Sequence, residues 1–305
     1  MIKSIAAAVT VGNDRTVTRH CTFTALCPAR TGIVRAAGAR LAVMQLNGQP
    51  VTTADQISKL ALVPIGHFTS MRLEGSAGVR GLSLHLERLA RDCRQLFAVD
   101  LDIDRIRTYL RQAAADINTP TVMRATIFDP GLELGRPGAA ADPHVLVTTS
   151  PAPQVPLDPI RLQTAVYTRD LARIKHVGLV GALHHRAAAQ RNGFDDVLFT
   201  GADGTVSEAA TSNFGVIDAD DRLIWPRGDV LSGTTMRLLS QVRDEDVLIE
   251  PITLAELPGY KAAILTNIAI GVRAVASVDE TTWRTDHPMI AALRADLESI
   301  PPERL

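Results

Sequence analysis

The stretch DDVLFTGADGTVSEAATSNFGVIDADDRLIWP, residues 195–226, reads as two consecutive strand–turn–strand units. In the first, two runs rich in Val, Leu, Phe and Thr flank the turn Ala202-Asp203-Gly204, and the second unit repeats the form. Working outward towards the C-terminus, SGTTMRLLSQV (232–242) opens a helix, and VLIEPITL (247–254), AAILTNIA (262–269) and VRAVASVD (272–279) add strands. On the other side, LVGALHHRAAAQRNG (179–193) reads as a helix ended by Asn192-Gly193, preceded by a strand at IRLQTAVYT (160–168). Before that, PAPQVPLDP (151–159) carries four prolines in nine residues and reads as a domain boundary.

The first half has the same texture. VMQLNGQPV (43–51) predicts a hairpin about Asn47-Gly48. HFTSMRLE (67–74), TVMRATIFD (121–129) and HVLVTTS (144–150) predict strands, the last two flanking a Gly/Pro/Ala-rich loop at 131–143. VRGLSLHLERLARDCRQLF (79–97) predicts a helix with an apolar face of Leu84, Leu86, Leu89, Cys93 and Phe97, and a second helix spans 103–117. Strand-rich halves with a few packed helices predict a mixed α/β (α+β) architecture, not a regular βαβ array. The expected plan is a smaller N-terminal domain at 44–150, a linker at 151–159 and a larger C-terminal domain at 160–305.

The chain has 305 residues, 32 basic against 33 acidic, for a formal net charge of -1. That balance excludes a generic basic nucleic-acid binder. Residues 1–43 are the exception: Lys3 and five arginines oppose Asp14 alone, and the segment has neither helical nor strand periodicity. It reads as a disordered basic extension or an early start, with Met44 as the functional beginning. Three cysteines make no disulfide framework and fit a reducing, cytoplasmic setting. No apolar run reaches the ~18 residues of a membrane span. His184 and His185 are adjacent and have no carboxylate or cysteine spaced to join them, so no metal site is expected.

Only four of the basic residues are lysines: Lys3, Lys59, Lys175 and Lys261. Chemistry that needs an amine nucleophile therefore has few candidates. Lys175 is the best of them, because Ile174, Val177, Leu179 and Val180 surround it and desolvation lowers an amine pKa. Glu208, in TVSEAATSN, is a strand-end carboxylate suited to partner a protonated ring nitrogen. In SGTTMRLL, Gly233 permits close approach, and the amides of Thr234 and Thr235 at a helix start suit a phosphate. Arg88 follows His85 by three on one helix face, where its guanidinium can fork onto a phosphate.

Taken in order, GHFTSMRLE, GVRGLSLHLERLARDCRQL, IKHVGLV, DDVLFTGADGTVSEAATSNFGVID, WPRGDVLSGTTMRLL and LTNIAIGVRAVASVD resemble the class IV (fold type IV) enzymes dependent on pyridoxal 5'-phosphate (PLP). That family includes branched-chain and D-amino-acid aminotransferases, (R)-amine transaminases and aminodeoxychorismate lyases. The resemblance covers roughly residues 44–280. It implies a two-domain fold with PLP between the domains, and usually a homodimer. It implies that Lys175 forms the Schiff base and that Glu208 bonds the pyridine nitrogen. Arg88 would bind the phosphate, together with Gly233, the amides of Thr234 and Thr235, and the loop at Asn267.

Three positions depart from the common pattern. Gly178 stands where an asparagine often follows the lysine by three, Ile268 replaces a threonine, and Phe68 replaces a tyrosine. GHFTSMR and LTN look closer to the aminodeoxychorismate lyases, which would place Phe68, Thr69 and Arg72 at the substrate, with Arg136 of the 131–143 loop as a further carboxylate candidate. The expected activity is amino transfer between an amino acid or amine and a keto acid. Pyruvate elimination from 4-amino-4-deoxychorismate, giving 4-aminobenzoate, is the alternative, and a non-catalytic relative of the same fold is a third reading.

Overall fold

Asn47 and Gly48 both take positive φ, 50° and 78°, and turn strand β1 (Met44–Leu46) back as β2 (Gln49–Pro50). The computed structural model describes residues 43–75 and 78–305; the expectation for the basic extension lies outside them. Helix α1 (Asp55–Leu62) follows and buries none of its residues. Then come β3 (Gly66–Glu74), α2 (Leu82–Phe97), α3 (Ile103–Ala114), β4 (Pro120–Phe128) and β5 (His144–Pro151). Together the strands make an antiparallel five-stranded sheet in the order β2-β1-β5-β4-β3.

Period-two alternation divides this sheet into two faces. Met71 and Leu73 of β3, Met123, Ala125 and Ile127 of β4, and Val145 and Val147 of β5 pack against Leu82, Leu86, Leu89 and Cys93 of α2 and Ile106 and Leu110 of α3. The other face carries Phe68 and Ser70 opposite Thr126 and Arg124. On α2 the expected face needs one revision. The helix begins at Leu82 rather than 79, because Gly81 sits at φ 67°, and the core residue of the first turn is the fully buried Leu82, with Leu84 half-buried.

Residues 152–159 connect β5 to β6 (Ile160–Val166), the first strand of a second sheet. After β6 come α4 (Val180–Arg191), β7 (Asp196–Thr200), β8 (Val206–Ala209), β9 (Ser212–Ile217), β10 (Leu223–Pro226), α5 (Thr234–Arg243), β11 (Val247–Glu250), β12 (Ala262–Asn267), β13 (Gly271–Val278), β14 (Thr281–Thr282) and α6 (Pro288–Ser299). Strand β6 is parallel to both β7 and β13, while β12 is antiparallel to β9 and β13. The pairing of β8 with both β7 and β9 closes β9-β12-β13-β6-β7-β8 into a ring. Ile160, Leu198, Phe214, Val216, Leu265 and Val275 belong to one buried cluster, and α5 and α6 cover another around Trp225 and Ile264. Ala42–Leu305 forms one compact unit that holds both sheets.

The long connection from β6 to α4 does not run free. Strand β3 is an edge of its sheet, and the 175–177 segment pairs with it: Phe68 N–H donates to the Lys175 carbonyl at 2.8 Å, and Val177 N–H to the Gly66 carbonyl at 2.9 Å. The edge is thereby covered, and Lys175 is placed where the two sheets meet.

Candidate active site

A cavity of about 270 Å³ opens there, just below the usual ~300–1,000 Å³ of small-molecule sites. Its walls include Phe68, Ser70, His85, Arg88, Arg124, Arg169, Lys175, Glu208, Gly233, Thr234, Thr266, Asn267 and Ile268. Four cationic side chains, Arg88, Arg124, Arg169 and Lys175, face one carboxylate, Glu208. Such an excess in a partly desolvated pocket favours anions.

Lys175 makes no ion pair among the described residues, and its Nζ lies 4.8 Å from the centroid of the Phe68 ring. Burial, then the nearby Arg88 and Arg169 cations, push its pKa down to about 7, with Glu208 opposing. A large share of the amine is therefore neutral near pH 7, as a nucleophilic lysine requires.

Glu208 is held at both oxygens. Arg169 Nε donates to Oε1 at 3.0 Å and the Leu231 N–H to Oε2 at 3.2 Å. Arg169 also donates to the carbonyls of Ile174, at 3.1 Å, and of Ala172, so one guanidinium ties the lysine segment to the carboxylate. Sequence reading missed Arg169, although it lies six residues before Lys175.

Arg88 is 4% exposed and has no carboxylate partner among the described residues. Its Nη2 donates to Thr69 Oγ1, and Thr69 Oγ1 lies 2.7 Å from His85 Nδ1. A hydroxyl that accepts from arginine still has its own proton to give, so His85 Nδ1 is the acceptor and Nε2 carries the ring proton. Burial and the Arg88 charge hold His85 well below the ordinary histidine pKa, which keeps it neutral. Arg88 Nε and His85 Nε2 are both buried without a partner. Beside them α5 begins with Gly233 at the cap position and no side-chain cap, leaving its first amides open. A Cβ at Gly233 would stand 2.1 Å from Asn213 Oδ1, so a larger residue there would displace the Asn213 side chain from its bond to the Leu231 carbonyl.

The remaining expected residues divide clearly. Phe68 and Thr69 are neighbours on β3 and leave opposite faces: Phe68 lines the cavity and Thr69 lies behind it, bonded to His85 and Arg88. Asn267 lines the cavity and shapes its wall, its Oδ1 accepting from the N–H groups of Ala269 and Ile270 at 3.0 and 3.1 Å. Thr235 is buried next to the helix start, its Oγ1 unpartnered. Arg72 faces a different cavity of about 400 Å³ and is committed to Glu74 and to the carbonyls of Pro153 and Ala269. Arg136 is exposed on its loop and does not line the site, nor does Gly178.

Arg124 stands where a substrate arginine was sought. Its guanidinium carbon lies 3.6 Å from the Phe68 ring centroid. Nε bonds Thr126 Oγ1 at 3.1 Å, and no carboxylate among the described residues pairs with it. The legible signal was an arginine on the alternate face of the apolar strand TVMRATIFD. Among the described residues no group of three or more His, Cys, Asp or Glu suits a metal, and no helix is long and apolar enough to cross a membrane.

A neutral-tending amine, a fixed carboxylate and an open anion seat around one cavity define the class as an enzyme built on a phosphorylated, amine-reactive cofactor. The chain belongs to the class IV aminotransferase family, whose model, Amino-transferase class IV, matches residues 66–278. The enzymes of that family depend on PLP. Its fold is shared with a hypothetical aminotransferase from Mycobacterium tuberculosis in its PLP-bound form, at TM-score 0.72 and 19% identity over 85% of this chain and 98% of that one. The branched-chain amino acid aminotransferase of Escherichia coli superposes at TM-score 0.75 with 19% identity, over 86% and 95%. The 4-amino-4-deoxychorismate lyase of Pseudomonas aeruginosa does so at 0.72 with 24% identity, over 84% and 98%. No curated protein matches the sequence.

Proposed function

We propose that the protein transfers an amino group between a carboxylate-bearing amine and a keto acid, with Lys175 as the covalent anchor of PLP. The observation that carries this reading is the cavity's charge: three guanidiniums and a partly charged amine against one carboxylate, with Arg88 buried and without a carboxylate partner among the described residues. A phosphate and a substrate carboxylate would supply the missing anions. The residues fit the cofactor on their own geometry, since Arg88 Nε and His85 Nε2 are buried donors without partners beside an uncapped helix start.

When bound, PLP supplies an electron sink for the carbanion formed at the substrate's amine-bearing carbon. The chain's residues do the rest. Arg88, His85 Nε2 and the amides of Thr234 and Thr235 grip the phosphate. Glu208 accepts the ring N–H, held in aim by Arg169 and the Leu231 amide. Lys175 Nζ takes the proton from the substrate carbon and hands it on, a task suited to a pKa of about 7. Phe68 shields that amine from water, and Arg124, stacked on the same ring, receives the carboxylate.

A half-reaction experiment tests the proposal. The PLP-loaded protein is mixed with single amino donors, and the visible spectrum follows conversion to the pyridoxamine form. Conversion by a carboxylate-bearing donor, reversed by a keto acid, is expected. Pyruvate release from aminodeoxychorismate without an acceptor would instead establish the lyase. A protein with no borohydride-fixed adduct at Lys175 would be the non-catalytic relative.

A further inference from the structure

Beyond His85 and Arg88, helix α2 carries a further polar residue next to the site, one turn past Arg88. Asp92 is fully buried, and at i+4 it shares the arginine's side of the helix. It forms no ion pair with Arg88; its oxygens are engaged elsewhere. Oδ1 accepts from Arg91 Nε at 3.0 Å and Nη2 at 2.7 Å. Oδ2 accepts the backbone N–H of Lys175 at 3.0 Å. The same Arg91 Nη2 donates to the Arg173 carbonyl at 3.0 Å. Lys175 is thus pinned through its own carbonyl to β3 and through its own amide to α2.

One rigid helix therefore holds both the cation of the phosphate seat and the peptide of the reactive amine. Residues four apart on a helix are about 6 Å apart along its axis, so α2 sets the spacing between Arg88 and the peptide of Lys175. A carboxylate is costly to bury, and a neutral side chain would suffice to pack this position. The bond to the Lys175 amide gives the charge a use there.

We propose that Asp92 is a positioning residue: through the Lys175 amide it fixes the reactive amine at a set distance from the phosphate seat, so that capture of the cofactor depends on it while anion binding does not. This rests on the reading that Lys175 carries PLP.

Two probes separate the parts. PLP can be trapped on Lys175 with borohydride and the adduct measured by mass spectrometry. Pyridoxine 5'-phosphate has the same ring and phosphate but an alcohol for the aldehyde, so it reports non-covalent binding alone. In Asp92→Ala the Lys175 amide loses its acceptor. Trapping at sub-saturating PLP is expected to fall about tenfold, equivalent to ~1.4 kcal/mol, while pyridoxine phosphate affinity does not fall, since the lost carboxylate is one that opposes an anion beside Arg88. Asp92→Asn keeps an acceptor oxygen and is expected to restore most of the trapping. Asp196→Asn, which alters a buried carboxylate paired with Arg186 on α4, serves as the packing control and is expected to change neither readout.

Equal loss of both readouts in Asp92→Ala would make the residue merely structural and overturn the proposal. So would wild-type trapping in that variant, or an Asn variant as poor as the Ala variant. Should Asp92→Ala not fold, Asp92→Ser, whose hydroxyl is too short to reach the amide, carries the same comparison. Failure of the wild-type protein itself to trap PLP would overturn the proposed function, and this inference with it.

Discussion

Arg88→Met is expected to stabilise the cofactor-free protein while removing its response to phosphate. The guanidinium is 4% exposed with no counter-ion among the described residues. Burial, partly offset by Asp92, brings its pKa from the ordinary arginine value down to about 10. The folded state therefore disfavours the charged form. That penalty is fully present at any pH well below 10 and fades only as pH rises through 10 towards the unfolded value. At 1.36 kcal/mol per pH unit it amounts to about 3 kcal/mol at pH 7. The Met stem fills similar space but gives up the charged bond to Thr69, worth about 2 kcal/mol, leaving a net gain near ~1 kcal/mol. For a body of this size that is a rise of about 2–4 °C in Tm. The assay is thermal unfolding in phosphate-free buffer, repeated with pyridoxine 5'-phosphate. The wild-type protein should gain about 2.7 kcal/mol at a hundred times its Kd, and the variant little at the same concentration. A Met variant that melts lower without ligand, or gains as much from the ligand, refutes the idea of an unfilled anion seat.

Three further outcomes follow from the same geometry. Capture of PLP by the apo-protein should rise with pH around a midpoint near 7, because burial lowers the Lys175 pKa and only the neutral amine attacks; a midpoint near the ordinary lysine value in borohydride trapping would contradict it. Arg124→Leu should raise KM for carboxylate-bearing donors about 10–100-fold, the loss of ~1.5–3 kcal/mol from a charged hydrogen bond, while PLP binding stays near wild type; an unchanged KM removes Arg124 from substrate recognition. His67 is fully buried with both ring nitrogens unpartnered, and burial, then Arg88, lowers its pKa to about 3. Below pH 6.5 the unfolded chain takes up a proton that the fold refuses, so stability falls by up to 1.36 kcal/mol per pH unit; His67→Phe should flatten that acid limb in urea titrations at pH 4 to 7, and an unaltered slope would show that His67 is not its source.

What sequence conveyed here was local, and what it withheld was contact. The hairpin at Asn47-Gly48 and the end of α4 were legible because a glycine or asparagine declares its backbone angle. Helix α6 carried the signals of a start, with Pro288 in its first turn and His287 capping the Met289 amide, yet its short apolar stripe drew no expectation. Closure of the second sheet depends on β8 meeting β9, which no strand pattern encodes. Phe68 and Thr69 show the other limit: a motif treats them as one unit, but the pleat sends one into the cavity and the other behind it, to Arg88 and His85.

Arg169 and Asp92 were invisible for a related reason. Each serves the site through backbone: Arg169 holds carbonyls at 172 and 174, and Asp92 holds the amide at 175. Their charged partners, Glu208 and Arg91, are distant in sequence or simply adjacent, and the peptide groups they grip carry no residue type, so neither leaves a spacing pattern to find. The result is a lysine segment fixed from three sides, by β3, α2 and the Arg169–Glu208 pair, inside a cavity whose cations repel one another until anions arrive. Each guanidinium is tied on one side, Arg169 to carbonyls and Glu208, Arg124 to the Thr126 hydroxyl and Arg88 to the Thr69 hydroxyl, and faces the cavity on the other. The charge that weakens the cofactor-free fold at Arg88 is therefore the same charge by which the proposed seat would bind an anion, which is why one substitution should move stability and affinity in opposite directions.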